Sequence, residues 1–226
     1  MNENCCLVLF TKPSVAGRVK TRLIGTLSAA AAADLHAAFL ADITERMTCR
    51  SFHFQIAWGV EDGEEVPDSP IPGFPQVEGS LGQRLLQGLR HVAAGHSLVA
   101  AVGSDHPSVS AERVSEAFAA LRDQADIVIG PATDGGYYAI AAKTDVLAAR
   151  LFSDIPWSSS EVLDVTLDRC AELKLRVHLL PKESDVDTPA DLERLCEDLR
   201  GGSLTCPHTY DLLEGWGRLG ADRQIR

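Results

Sequence analysis

Four basic residues, Lys12, Arg18, Lys20 and Arg22, fall within eleven positions of a 226-residue chain that holds 21 Lys+Arg in all. They belong to the stretch Thr11-Lys12-Pro13-Ser14-Val15-Ala16-Gly17-Arg18-Val19-Lys20-Thr21-Arg22. A glycine-containing loop of this kind brings backbone N–H groups close to a phosphate, and Lys and Arg add charge-assisted hydrogen bonds. The bland alternative is a solvated basic turn. The stretch is neither a P-loop, since Lys20-Thr21 follows valine, nor a G-x-G-x-x-G dinucleotide fingerprint. Acidic residues stand elsewhere. Asp105, in Gly103-Ser104-Asp105-His106-Pro107, has the chemistry to hold Mg²⁺ or Mn²⁺ through carboxylate oxygen, or else to open a turn or helix. In Asp185-Val186-Asp187-Thr188 an extended backbone points residues two apart to the same side, so the two carboxylates either share a cation or cap the next helix. Thr133-Asp134-Gly135-Gly136-Tyr137 reads as a hairpin turn or as a place where a sugar or phosphate lies against bare backbone, with Tyr137 near a sugar face.

These stretches need elements to position them. Short apolar runs alternate with helical patterns along the chain. Strands are expected at residues 5–10, 52–60, 97–102, 126–130, 137–142 and 176–180. Helices are expected at 28–47, with Leu35, Phe39, Ile43 and Met47 on one face; from Leu81, with Leu85, Leu89 and Val92; and from Ala111, with Val114, Ala117, Phe118 and Leu121. Ser158-Ser159-Ser160-Glu161 has the spacing of a capping box and is expected to open a further helix carrying Leu163, Leu167 and Cys170. Thr188 as N-cap with Pro189 in the first helical position opens the last clear helix. Residues 61–75, acidic and carrying four prolines, read as a surface loop, and residues 201–226 as a C-terminal surface extension to a single domain over 1–200. Alternating strands and helices imply an α/β fold, a three-layer α/β/α sandwich with a mixed, mostly parallel sheet, in which ligands sit beyond the carboxyl ends of strands. The basic loop and both acidic stretches fall at such ends or just before a helix.

Composition sets the outer bounds. With 32 Asp+Glu the chain carries −11 at neutral pH, and its pI is near 5. No global positive field would draw a polyanion in, so neither a general nucleic-acid binder nor an anionic-membrane binder is expected. Residues 1–22 nevertheless hold four basic groups against Glu3, a local +3 that leaves −14 for the rest. No apolar stretch is long enough to span a membrane, and the run Cys5–Phe10 lacks a basic leader, so a cytoplasmic protein is expected. Cys5, Cys6, Cys49, Cys170, Cys196 and Cys206 show no C-x-x-C pairing and read as reduced, mostly buried thiols.

Seven stretches taken in order carry a resemblance. They are Phe10-Thr11-Lys12-Pro13; Gly17 to Leu23; Leu81-Gly82-Gln83-Arg84; Gly103 to Pro107; Gly130 to Tyr138; Pro156-Trp157-Ser158; and Asp185 to Pro189. Together they resemble the nucleotide-diphospho-sugar transferases of the GT-A fold, in particular a bacterial glycosyltransferase-like branch. The resemblance implies that Lys12, Arg18, Lys20, Thr21, Arg22, Gln83 and Arg84 embrace a nucleotide and its phosphates. It implies that Asp105 and Asp187 hold Mg²⁺ or Mn²⁺, that Gly135, Gly136, Tyr137 and Trp157 meet the sugar or acceptor, and that Asp134 and Lys20 take part in catalysis.

The Asp-x-Asp of many glycosyltransferases is here Asp105-His106-Pro107, with one carboxylate, a form also similar to the cofactor guanylyltransferases of the same superfamily. Those enzymes carry a more glycine-rich first loop than this chain does. The leading expectation is metal-dependent glycosyl transfer from a nucleotide diphosphate sugar to a small-molecule acceptor. The alternatives are nucleotidyl transfer from a nucleoside triphosphate to a phosphorylated acceptor, releasing pyrophosphate, and a catalytically silent nucleotide-binding module. Oligomeric state, nucleotide, sugar and acceptor are not legible in the sequence.

Overall fold

The computed structural model describes residues 4–48 and 52–220. Seven strands form one sheet: β1 Cys5–Thr11, β2 His53–Trp58, β3 Gly73–Pro75, β4 Leu98–Gly103, β5 Ile127–Pro131, β6 Tyr137–Lys143 and β7 Val177–Leu179, in the order β3-β2-β1-β4-β6-β5-β7. β1 and β4 are near-continuous apolar runs because neighbours cover both their faces, as is usual for central parallel strands. Cys6 lies opposite His53 on one side and Val99 on the other. β6 alone runs antiparallel to both its neighbours, since the turn at 132–136 returns the chain directly from β5. The expected α/β class with a mixed, mostly parallel sheet is thus the class observed.

Among the described residues six α-helices accompany the strands: α1 Ala29–Thr48, α2 Leu81–Ala93, α3 Ala111–Asp123, α4 Val162–Glu172, α5 Pro189–Gly201 and α6 Pro207–Gly215. The described chain divides into two compact units. The first comprises Met1–Pro13, Met47–Gly103 and Ser110–Asp185 and holds the whole sheet. Its core joins Val8, Val99, Ala101, Ile127, Ile129 and Ile140 to the α2 stripe Leu85, Leu89 and Val92. Leu81 begins α2 but stays 37% exposed, so it does not extend that stripe. The second unit comprises Ser14–Arg46, Ser104–Val109 and Val186–Arg226. Its own core gathers Leu23, Leu35, Phe39, Val186, Leu192, Leu195, Leu199 and Leu213.

Three expectations give way. Residues 61–75 are not all loop, because Gly73–Pro75 forms β3 as an edge partner of β2. Pro72 before it and Pro75 within it are tolerated there since an edge strand needs hydrogen bonds on one side only. Ser158 to Glu161 is not a capping box: Ser158 is left-handed at φ 69, Glu161 is the N-cap without a side-chain bond, and Ser159 Oγ accepts from the Glu161 N–H in a local turn that competes with helix. The residues after 201, read as a surface extension, contain α6, whose Thr209 and Leu213 are fully buried. Buried Asp42 of α1 accepts from the backbone N–H groups of His208 and Thr209, capping α6 from outside the helix. Cys5, Cys6, Cys170, Cys196 and Cys206 are free and buried, and Cys49 lies outside the described residues. No described helix is long and apolar enough to cross a membrane.

Candidate functional site

Lys20 is the least usual residue of the basic loop. Its backbone is left-handed, φ 46 and ψ 38, a conformation that costs a non-glycine residue about 1–2 kcal/mol. The turn persists because Leu23, three residues on, is buried in the core of the second unit, and its N–H donates to the Lys20 carbonyl at 2.9 Å. This geometry turns the Lys20 side chain inward, where it is 1% exposed. The stem passes the ring of Phe39, with Nζ 5.2 Å from the centroid. The ammonium donates to Asp105 Oδ1, to the Val186 carbonyl at 2.9 Å and to Asp187 Oδ1 at 3.3 Å. An ammonium has three N–H donors, and all three are used.

The two carboxylates are held together by the backbone. The Val186 N–H donates to the Asp105 carbonyl at 3.1 Å, so the segments carrying Asp105 and Asp187 run side by side. Capping of α5 falls to its neighbours: Thr188 Oγ1 accepts from the Asp191 N–H, and Asp191 Oδ2 accepts from the Thr188 N–H at 2.7 Å. Asp187 is thereby spared capping duty, and its second oxygen lies 3.8 Å from the Arg22 guanidinium, which is 68% exposed. Burial pushes the Asp105 carboxyl up, but the Lys20 charge and hydrogen bond outweigh it, with smaller help from His36 and His106, and hold it below the ordinary aspartate range.

His36 completes this cluster, although nothing in the basic loop or the acidic stretches points to it. It is buried on α1, with Nδ1 2.9 Å from Ser14 Oγ and Nε2 3.3 Å from Ser104 Oγ. It thus links the start of the basic loop to the residue before Asp105. The available signal in the sequence is its place three residues before Phe39, on the same helical face.

A cation at the Lys20 Nζ position meets one oxygen from Asp105, one from Asp187 and the Val186 carbonyl. Three oxygen donors around one point are the chemistry that Mg²⁺ or Mn²⁺ takes, completed by water or phosphate. No group of three or more His, Cys, Asp or Glu side chains with metal-binding geometry occurs among the described residues.

Other residues named from the sequence are placed within the first unit. Lys12 is exposed just past β1. Gln83 forms a capping box with Ser80, so its amide oxygen serves the start of α2. Arg84 Nη1 donates to Gln76 Oε1 at 3.2 Å, and Gln76 in turn donates to the Ala57 and Thr11 carbonyls. Asp134 is exposed, and its Oδ1 accepts from the Gly136 N–H at 2.9 Å. Gly135 has φ 94, and a Cβ there would stand 2.2 Å from the Ser160 carbonyl oxygen. The Tyr137 ring meets Trp157 edge-on at 6.1 Å, and Trp157 in turn packs on Gly82, where a Cβ would come within 2.9 Å of the indole. In the second unit Arg18 is half-buried, and Thr21 is exposed beside Lys20. The structure thus gathers Lys20, Arg22, Asp105 and Asp187 in one cluster. Within the first unit it gathers Asp134, Gly135 and Gly136 in one turn and Tyr137 with Trp157.

Comparison with known proteins agrees with the resemblance read from the motifs. No curated protein matches the chain by sequence. Among solved structures, one from Desulfovibrio desulfuricans G20, assigned as a nucleotide-diphospho-sugar transferase, is 29% identical, with 97% of each chain covered and a TM-score of 0.88. CMP:2-keto-3-deoxy-manno-octonic acid synthetase complexed with CTP shares the fold at 13% identity, covering 89% of this chain and 100% of that one, with a TM-score of 0.55. Rv0371c in complex with manganese, from Mycobacterium tuberculosis H37Rv, shares it at 16% identity, covering 87% and 100%, with a TM-score of 0.50. A family model described as "Uncharacterized protein conserved in bacteria (DUF2064)" matches residues 47–159, half of the chain, and the chain belongs to that family.

Proposed function

We propose that this chain is a metal-dependent transferase acting on a nucleotide-activated substrate, with glycosyl transfer from a nucleotide diphosphate sugar as its reaction. The observation that carries the proposal is the convergence of Asp105 and Asp187 on a single cation position, with the exposed guanidinium of Arg22 beside it. Asp105 and Asp187, with the Val186 carbonyl, would hold Mg²⁺ or Mn²⁺. Bound there, the metal would neutralise charge developing on the departing diphosphate. Arg22 supplies further positive charge to the phosphates, and its side chain reaches solvent. Asp134, exposed and with one oxygen fixed by the Gly136 N–H, is suited to take the proton from an acceptor hydroxyl through its other oxygen. The 29% identical structure assigned as a nucleotide-diphospho-sugar transferase, and the manganese complex sharing the fold, support this reading.

One observation favours a second reading. The acidic motif after β4 has a single carboxylate, Asp105, followed by His106-Pro107, and the same fold occurs in a synthetase holding CTP. In nucleotidyl transfer the same cluster would serve a triphosphate, and pyrophosphate would leave. The experiment is product analysis of purified protein with Mg²⁺ or Mn²⁺ over a panel of nucleotide sugars and nucleoside triphosphates. Release of a nucleoside diphosphate supports the first reading. Release of pyrophosphate alone replaces it with the second. Asp105→Asn and Asp187→Asn are each expected to lower turnover about 10²-fold or more. Unchanged turnover in both would remove the metal role.

A further inference from the structure

The position that suits a metal is already filled by a cation belonging to the chain. Lys20 Nζ spends all three of its donors on Asp105, Asp187 and the Val186 carbonyl. In this state the ammonium has no N–H left for a phosphate, and Oδ1 of each carboxylate accepts from it. A divalent ion bound to the same oxygens would lie about 2.0–2.6 Å from them and so would coincide with the ammonium nitrogen. The two cations exclude one another.

Charge compensation points the same way. Asp105 and Asp187 together bring −2, Lys20 brings +1, and Arg22 lies 3.8 Å from Asp187, so the cluster is already balanced without a metal. Adding a divalent ion leaves an excess of +2, which an incoming polyphosphate would offset. The side chain has the means to move. Its turn is fixed by Leu23 through the backbone, whereas the unbranched four-carbon stem beside the Phe39 ring has rotatable bonds by which the ammonium can swing.

We propose that Lys20 is a resident cation that holds the Asp105–Asp187 site closed to divalent metal in the free protein and is released to the substrate phosphates when metal and nucleotide bind together. The proposal rests on the reading of Asp105 and Asp187 as metal ligands. It adds that metal and polyphosphate bind cooperatively, by exchange of one cation for another. Linkage requires the coupling to be reciprocal: what the nucleotide does for metal affinity, the metal does for nucleotide affinity.

The test uses Mn²⁺ alone, without nucleotide, followed by the loss of the free-ion electron paramagnetic resonance signal. The wild-type chain is expected to bind Mn²⁺ weakly. Lys20→Met, and Lys20→Ser where the longer side chain does not fold well, should bind it at least about tenfold more tightly. The same variants should gain more in melting temperature from Mn²⁺ than the wild type does, and the added affinity should disappear in Lys20→Met/Asp187→Asn. In the wild-type chain, acetylation of Lys20 by an amine-reactive ester, read by mass spectrometry, should be slow without metal and faster with Mn²⁺.

Equal Mn²⁺ affinity in wild type and both Lys20 variants, or tighter binding that survives Asp187→Asn, overturns the exchange while leaving the transferase reading intact. Absence of Mn²⁺ binding in every variant overturns both the exchange and the assignment of Asp105 and Asp187 as ligands. Because nothing in the assay requires turnover, failure to find a sugar donor has no bearing on the result.

Discussion

Gly135→Ala isolates the turn that carries Asp134. Two costs add at this position. The residue sits at φ 94, where an L side chain pays about 1–2 kcal/mol. A new Cβ also meets backbone: the Ser160 carbonyl oxygen at 2.2 Å, its Cα at 2.6 Å and its carbonyl carbon at 2.7 Å. None of these is the end of a flexible side chain, and the Gly135 carbonyl is itself tied to the Leu163 N–H at 2.9 Å, so neither segment yields freely. Forced overpacking of this sort costs about 1–3 kcal/mol, which brings the expected loss to roughly 2–5 kcal/mol. At about 2–4 °C per kcal/mol for a chain of this size, the melting temperature should fall roughly 4–20 °C.

Two further glycines separate the causes. Gly17 has φ 81, but an added methyl group there would meet nothing within 4 Å, so Gly17→Ala should lose only the conformational cost, about 1–2 kcal/mol. Gly95 has neither a left-handed φ nor a neighbour, so Gly95→Ala should be neutral or stabilise by up to about 1 kcal/mol. The assay is urea unfolding, with the midpoint and slope fitted for all four proteins. If Gly135→Ala loses no more than Gly17→Ala, the close approach of Ser160 is not a constraint and the turn is softer than its packing implies.

Other perturbations test the surroundings. Asp126 accepts from the Arg176 backbone N–H, Nε and Nη2 and from Lys143 Nζ, and the Arg176 bonds hold its carboxyl well below the ordinary range. A lowered folded-state value means that stability is fully present above the unfolded aspartate pKa and is lost as pH falls through the folded one. Asp126→Asn should therefore cost about 1–3 kcal/mol in urea unfolding at neutral pH, and the gap from wild type should narrow under acid. Asp42→Ala strips the cap from α6 and leaves the buried Thr209 N–H and the part-buried His208 N–H without that acceptor, which should cost about 1–3 kcal/mol. Hydrogen exchange over residues 204–219 should quicken, and unchanged protection there would show that α6 is held by its apolar face alone.

The sheet is legible because its central strands are written in one chemical key. Cys5–Phe10 and Leu98–Val102 are apolar throughout, as burial on both faces requires. Helices α2 and α3 show stripes because they bury one face and leave the other to solvent. β3 is not legible, since three residues that follow Pro72 and end in Pro75 acquire strand geometry only by pairing with β2. Spacing misleads at Ser158–Glu161, whereas a true capping box stands at Ser80–Gln83. That box engages the Gln83 amide oxygen at a helix start, whereas a phosphate would take the amide N–H groups. The tail after Gly202 looks polar because its buried residues, Cys206, Thr209, Leu213 and Leu219, are too sparse to make a stripe.

The basic loop shows most clearly what a linear reading misses. Four positive charges in eleven positions argue for a phosphate site only if the charges face outward. One of the four does not: Lys20 is buried on partners 85 and 167 residues away in sequence, and no local pattern signals that. Its left-handed backbone, the buried Leu23 that fixes it and the Phe39 ring beneath the stem are all tertiary facts. The local excess of +3 thus overstates what the loop presents in this state, while the acidic residues expected to await a cation already have one. Lys20 and the acidic pair are therefore one bonded unit in this structure, whereas Arg22 beside them keeps its guanidinium open to solvent.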